Sequence, residues 1–169
     1  EIPKIIHTST SEIYGTAQYV PIDENHPISS QSPYAASKVS ADQFALSYWR
    51  SFSTPITILR PFNTYGPRQS IRALIPTIIT QILQKKNSIK LGKLTPTRDF
   101  NFVKDTCQAF YEVSQLNSLH GEVINAASNF EISVLKTVEL IKEIMNSDII
   151  IETDKSKIRP NLSEVERLF

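Results

Sequence analysis

Apolar and polar positions along the chain change period several times, and each change marks an element. An apolar run begins at Ile2; from Lys4 to Thr8 it is short, β-branched and apolar on both faces, as in a parallel strand covered by helices. The polar Ser9-Thr10-Ser11 ends it. Ser32-Pro33 is a helix-start signature, serine as N-cap and proline in the first turn. Ala36, Val39, Phe44, Ala45, Tyr48 and Trp49 carry that helix to about Ser53. A second buried strand, Pro55 to Leu59, is closed by Arg60-Pro61. Two strands joined by a long helix predict a right-handed βαβ crossover, the unit of a doubly wound sheet.

Beyond Gly66-Pro67 the texture changes. Pro76 can begin a helix, with an apolar stripe of Ile78, Ile79, Ile82 and Leu83, before Lys85-Lys86-Asn87 ends it. Ile89 to Leu91 and Phe100 to Val103 read as short strands around a turn, and Asp105 to about Gln115 as a helix. Glu122 to Asn125 predicts another strand, Ile132 to Met145 an amphipathic helix and Ile149 to Glu152 a last strand. No linker separates this mixed α/β part from the first, so the two are expected to interleave.

Composition narrows the classes. The chain has 169 residues, room for one domain or one domain plus part of another. Eighteen basic and seventeen acidic side chains nearly cancel, so no bulk field favours nucleic acid or an anionic membrane as partner. No apolar run approaches the ~20 residues of a membrane span, and no signal peptide is visible, which makes a cytoplasmic location the expectation. Cys107, the single cysteine, has no intramolecular partner and falls in a helical pattern with Val103 and Phe110 that predicts a core position. The chain opens on Glu1 and enters a buried-type strand at once, as a piece of a longer protein would. Its four glycines include no Gly-x-x-Gly-x-x-Gly arrangement, so a dinucleotide phosphate loop is expected upstream.

Two segments carry chemistry. Tyr34 and Lys38 stand one helical turn apart on one face, where an ammonium favours the phenolate and brings a phenol nearer to a useful base. Thr10, Ser11 and Glu12 stand just past the carboxyl end of a parallel strand, the edge where open α/β sheets place ligands. Taken singly, each has an ordinary alternative. Tyr-x-x-x-Lys is common as a surface or core pair, and a serine-threonine cluster commonly caps a strand-end turn.

Taken in order, the segments resemble a family. Ser9-Thr10-Ser11-Glu12-Ile13-Tyr14-Gly15, Ser32-Pro33-Tyr34-Ala35-Ala36-Ser37-Lys38, Arg60-Pro61-Phe62-Asn63-Thr64-Tyr65-Gly66-Pro67-Arg68 and Arg98-Asp99-Phe100-Asn101-Phe102-Val103 are similar to motifs of the extended short-chain dehydrogenase/reductases, specifically the nucleotide-sugar epimerases and dehydratases. The resemblance implies an α/β fold: the C-terminal part of a Rossmann-type doubly wound parallel sheet with an interleaved small α/β substrate-binding lobe. Residues 1–66 would be the second half of the NAD-binding domain and 67–169 mainly the substrate lobe, with about 104–126 returning to the Rossmann sheet. It implies NAD as cofactor, a nucleotide-sugar substrate, a homodimeric parent and no metal. Tyr34 would be the base toward the sugar 4-hydroxyl, Lys38 would hold the nicotinamide ribose, Thr10 would orient the 4-oxygen, and Pro61 would lie near the nicotinamide. Asn63 and Arg68 would lie near the sugar-diphosphate pocket, and Arg98 and Arg159 would contact the diphosphate; for Arg159 a solvated surface pair is the competing reading. Paired guanidinium donors suit phosphate.

Within the family, Glu12 separates reactions. Dehydratases carry at that position the base that removes the carbon-5 proton after oxidation at carbon 4, whereas epimerases commonly have an uncharged residue there. Ser11 departs from the Thr-Asp-Glu of many dehydratases, so the departing hydroxyl would take its proton from protonated Glu12, a hydroxyl relay or water. Thr95-Pro96-Thr97-Arg98-Asp99 and Arg159-Pro160, followed by Ser163-Glu164-Val165-Glu166-Arg167-Leu168, resemble the nucleotide-linked N-acetylglucosamine 4,6-dehydratases of legionaminic-acid biosynthesis. UDP and GDP carriers both remain open, as do a 4-epimerase, a UDP-glucuronate decarboxylase, and a non-catalytic sugar-nucleotide-binding module or inactive fragment.

Overall fold

In the computed structural model, which describes residues 3–169, the chain opens with strand β1 (Ile5–Thr8), passes through a 3-10 turn at Ser11–Tyr14, and reaches helix α1 (Pro33–Phe52). Glu1 and Ile2, where the first apolar run begins, lie outside the described residues. The start of α1 follows from its sequence: Ser32 Oγ accepts from the Ala35 N–H at 3.1 Å, and Pro33 occupies a position whose missing N–H costs no helical bond. The helix stops where Ser53 turns left-handed at φ 54°, its N–H closing on the Trp49 carbonyl.

Strand β2 (Ile56–Pro61) lies beside β1 in parallel, in register from Ile5 with Ile56 to Thr8 with Leu59. It is buried along nearly its whole length, as its unbroken apolar and β-branched run requires. After it come β3 (Asn63–Tyr65), helix α2 (Leu74–Leu83), β4 (Ser88–Leu91), β5 (Thr97–Phe102) and helix α3 (Val103–Gln115). Strand β6 (Val123–Ala126) returns to pair with β2, completing a parallel sheet in the order β1-β2-β6. The chain ends with β7 (Glu131–Ser133), helix α4 (Val134–Ile144), β8 (Ile150–Thr153) and the two-residue β9 (Arg167–Leu168).

β5 is the junction of the later part. It pairs with β3 and β9 in parallel and with β7 antiparallel, while β4 pairs, among the described residues, only with β8. The two short strands expected around one turn, β4 and β5, therefore sit in different sheets. Two apolar cores result. One gathers Ile13, Tyr14, Ile22, Phe62, Val165 and Leu168 behind the 3-10 turn; the other joins Ile78, Ile89, Leu91 and Val138 between α2, α4 and the β4–β8 pair.

Three sequence expectations are corrected. The inward face of α1 runs through Ala35, Asp42 and Leu46, while Ala36, Phe44 and Tyr48 are exposed, because the face that meets β2 is anchored by a charged residue that an apolar count passes over. Cys107 is exposed: α3 turns Thr106 and Val113 inward, and its neighbour Cys107 stands about 100° further round. The helix expected from Ile132 begins at Val134, since Glu131–Ser133 extends to pair with β5 and Ser133 Oγ then caps the helix on Lys136 N–H. Among the described residues no helix is long and apolar enough to cross a membrane.

Candidate active site

The site begins at the carboxyl end of β1. There Thr10 is in extended backbone, and its Oγ1 accepts from the Glu12 N–H at 3.3 Å, starting the 3-10 turn that carries Ser11 and Glu12. Because the threonine oxygen is used here as an acceptor, its O–H is left to donate elsewhere. The turn ends at Gly15, whose φ of 65° is a conformation a side chain resists, and a Cβ there would overlap the Ser29 carbonyl. Tyr14, fully buried, pins the turn from below, donating from its hydroxyl to Asn125 Oδ1 at 2.8 Å and accepting from Arg60 Nη1 at 2.9 Å. Burial raises the Tyr14 phenol above its ordinary value and the Arg60 guanidinium pulls it back, so at neutral pH it stays a phenol.

Helix α1 brings Tyr34 to the same place. Its ring is 53% exposed, and it lines a cavity of about 650 Å³ together with Thr10, Ser11, Glu12, Asn63 and Arg159. Lys38, one turn on, donates from Nζ to the Thr8 carbonyl at 2.9 Å, tying the helix to the end of β1. Pro61 is the last residue of β2.

A second cavity, of about 790 Å³, continues from the first and shares Glu12, Asn63, Thr64 and Arg159 with it. Its far wall is cationic, with Arg72, Lys86, Lys93 and Lys157. Arg98 reaches into it from β5, with Nη1 donating to the Thr97 carbonyl at 2.8 Å and Nη2 3.6 Å from Glu164 Oε1. Burial pulls the Arg98 guanidinium below its usual range; Glu12 and Glu164 act in the opposite sense, while Arg159 adds to the lowering. A guanidinium nonetheless stays charged at neutral pH. Behind it Asp99, fully buried, accepts from Asn101, from Ser128 through both N–H and O–H, and from the Asn129 N–H. That fixes β5, and with it Arg98.

Of the residues singled out in the sequence, Thr10, Ser11, Glu12, Tyr34, Asn63, Arg98 and Arg159 line these two joined cavities, with Glu12 at the junction. Lys38, Pro61 and Arg68 line neither, and Arg68 sits exposed with φ 70° in the turn after Gly66. Sequence reasoning missed Glu164, which faces Arg98, and Gln31, whose amide donates to the Leu162 and Glu164 carbonyls while its oxygen accepts from Thr16. No local pattern signals either, since Glu164 is 66 residues from Arg98 and Gln31 reaches partners 15, 131 and 133 residues away.

A parallel sheet flanked by helices, with a threonine-glutamate turn, a helical Tyr-x-x-x-Lys and a guanidinium-lined cleft, is the architecture of the epimerase/dehydratase family within the extended short-chain dehydrogenase/reductases. Residues 1–169 match the GDP-mannose 4,6 dehydratase family throughout, and the chain belongs to that family. It is 36% identical over 146 residues to a dTDP-D-glucose 4,6-dehydratase of Bos taurus, covering 84% of this chain and 41% of that one. Among solved structures, dTDP-glucose 4,6-dehydratase from Bacillus anthracis in complex with NAD superimposes with a TM-score of 0.88 at 32% identity, over 97% of this chain and 51% of that one. UDP-glucuronic acid 4-epimerase from Bacillus cereus, in complex with UDP-glucuronic acid and NAD, gives 0.89 at 30% identity, over 98% and 52%. The chain thus spans about half the length of the relatives it matches.

Proposed function

We propose that this chain is the catalytic-tyrosine and substrate-binding half of an NAD-dependent nucleotide-sugar 4,6-dehydratase acting on a UDP- or GDP-linked N-acetylglucosamine. The observation that carries the reading is the position of Glu12, a carboxylate at the junction of the tyrosine cavity and the guanidinium cavity.

Lys38 at the strand end, the half-exposed Tyr34 and the buried, unpartnered Ser9 hydroxyl fit the ribose-nicotinamide end of NAD. Its phosphates need a glycine-rich turn that these 169 residues do not contain. When bound, NAD supplies hydride acceptance from sugar carbon 4 and hydride return. Tyr34 Oη takes the proton of the 4-hydroxyl, and the Thr10 O–H, left free by the Glu12 N–H contact, holds that oxygen in place. Glu12 then removes the proton at carbon 5, which the neighbouring ketone acidifies, and hands it to the hydroxyl leaving carbon 6 as water; carbon 5 regains a proton exchanged with solvent, and the proton held by Tyr34 is released to solvent. Ser11 is only 1% exposed, and both transfers are assigned to Glu12 at the junction of the two cavities. Arg98 and Arg159 hold the diphosphate, and Asn63 faces the sugar. The dimeric parent implied by the family is part of the same proposal.

In the complete gene product run in heavy water, a 4-keto-6-deoxy sugar with one deuterium at carbon 5 is expected from UDP- or GDP-N-acetylglucosamine. Glu12→Gln should lower water loss by about 100-fold or more while the first oxidation continues, leaving reduced cofactor visible by its absorbance. Turnover of dTDP-glucose alone would correct the sugar and carrier. A 4-epimer retaining its 6-hydroxyl would establish an epimerase instead.

A further inference from the structure

Beneath the site lies a buried charged network that the reaction does not use. Asp42 is 0% exposed and sits on α1 at i+8 from Tyr34 and i+4 from Lys38, on the face those two share. Its Oδ2 accepts from both Nε and Nη2 of Arg60, at 3.1 and 3.0 Å. The remaining guanidinium nitrogen, Nη1, donates to the Tyr14 hydroxyl, and the guanidinium carbon lies 5.2 Å from the Tyr14 ring centre. Tyr14 is two residues from Glu12 in the same 3-10 turn and passes the chain on to Asn125 of β6. His7 Nε2, on β1, stands 3.2 Å from the second Asp42 oxygen without hydrogen-bond alignment.

We infer that Arg60 is a positioning residue that sets the Tyr34 helix and the Glu12 turn in one fixed relation, through Asp42 on one side and Tyr14 on the other. A buried ion pair adds little net stability over well-packed apolar side chains, so stability alone gives no reason for a charge at this place. Direction gives one. A planar guanidinium with three nitrogens engaged admits one placement of both partners, whereas apolar packing tolerates sliding. The helix and the turn have no such directional link elsewhere among the described contacts, apart from Lys38 at Thr8.

The kinetic arm of the test rests on the dehydratase reading. Tyr14→Phe keeps the ring and removes the hydroxyl through which Arg60 Nη1 reaches the turn. Thr57→Val, which removes a buried hydrogen bond from Thr57 Oγ1 to the Leu119 carbonyl at 2.8 Å on the same strand, is the matched control outside the network. In the complete gene product, Tyr14→Phe should lower kcat about tenfold or more with KM within about twofold, since misplacement of the reacting groups and not substrate binding is affected. Thr57→Val should lower the thermal midpoint comparably and leave kcat unchanged. An unchanged kcat in Tyr14→Phe, or equal losses in both variants, overturns the inference. If the parent protein turns over no nucleotide sugar, the functional reading fails, and amide exchange decides the positioning claim. Faster exchange in both 9–15 and 33–40 upon Tyr14→Phe supports it, and a change confined to 9–15 overturns it.

Discussion

Both cores of this molecule are apolar, but only one has a buried charged network set beside it. Around the β1–α1–β2 unit the interior holds Asp42, Arg60, Tyr14 and Asn125 in one chain of hydrogen bonds, beside the apolar Ile13, Ile22 and Phe62. Between α2, α4 and the β4–β8 pair it holds isoleucine, leucine and valine, with Gln81 bonding across to Lys90 at the margin. Hydrophobic burial is non-directional, so it seals a layer without specifying an angle; hydrogen bonds to charged groups are short and oriented. The oriented core lies under the candidate catalytic groups and the sealed one beside the cationic wall of the cleft.

Four substitutions test that contrast. The largest effect is on chemistry: Tyr34→Phe in the complete gene product should reduce turnover by about 100-fold or more with little change in nucleotide-sugar binding, because it removes a base and almost no surface. Activity within a fewfold of the parent would end the assignment of Tyr34. Asp42→Ala leaves the Arg60 charge buried without its partner and should cost about 3–5 kcal/mol in chemical denaturation. In the aliphatic core, Ile89→Ala should cost about 2–5 kcal/mol and Ile89→Val about 0.5–1.5, scaling with volume removed. Turnover per folded molecule should be unaffected by Ile89→Val, and a matching loss there would erase the distinction between the cores.

The smallest effect is at the rim. Glu131 accepts from Thr97 and, bidentately, from Arg167 at 2.7 Å, and that bond to Arg167 is the main reason its carboxyl lies below the usual carboxylate range. A folded value below the unfolded one means the contribution is fully present above an unfolded value near ~4.3 and is lost as pH falls through the folded value. Arg167 is 47% exposed, so solvent screening keeps the contribution small. Glu131→Gln should therefore lower the thermal midpoint by a degree or two at pH 7 and bring it toward the parent's below about pH 4. A difference that persists unchanged into acid would assign the effect to packing.

Much of this was legible in the sequence because its causes are local. The Ser32 cap, the unbroken apolar run of β2 and the chain's ordered motifs each act over a few residues, and Thr10, Ser11, Glu12, Tyr34, Asn63, Arg98 and Arg159 could be named from them, whereas the cationic wall could not. The interior of α1 was not legible. Its buried line includes Asp42, whose acceptability depends on Arg60 from strand β2, while the apolar Phe44 and Tyr48 are exposed. The pairings of β4 with β8 and of β5 with β9 were equally hidden, because those partners lie more than 60 residues downstream. Glu164 beside Arg98 is a long-range fact of the same kind.

The closing segment of the chain has a consequence in time. Leu162 and Glu164 are tied to Gln31 across 131 and 133 residues, Glu166 donates to Thr16, and Arg167 accepts from Ala17. Contacts of such separation form late, because the entropy of closing the intervening loop is lost before any of them returns free energy. Arg159 and Glu164 therefore reach the βαβ unit with its tyrosine and lysine only when the two ends of the chain have met, and the cleft takes its shape at that closure.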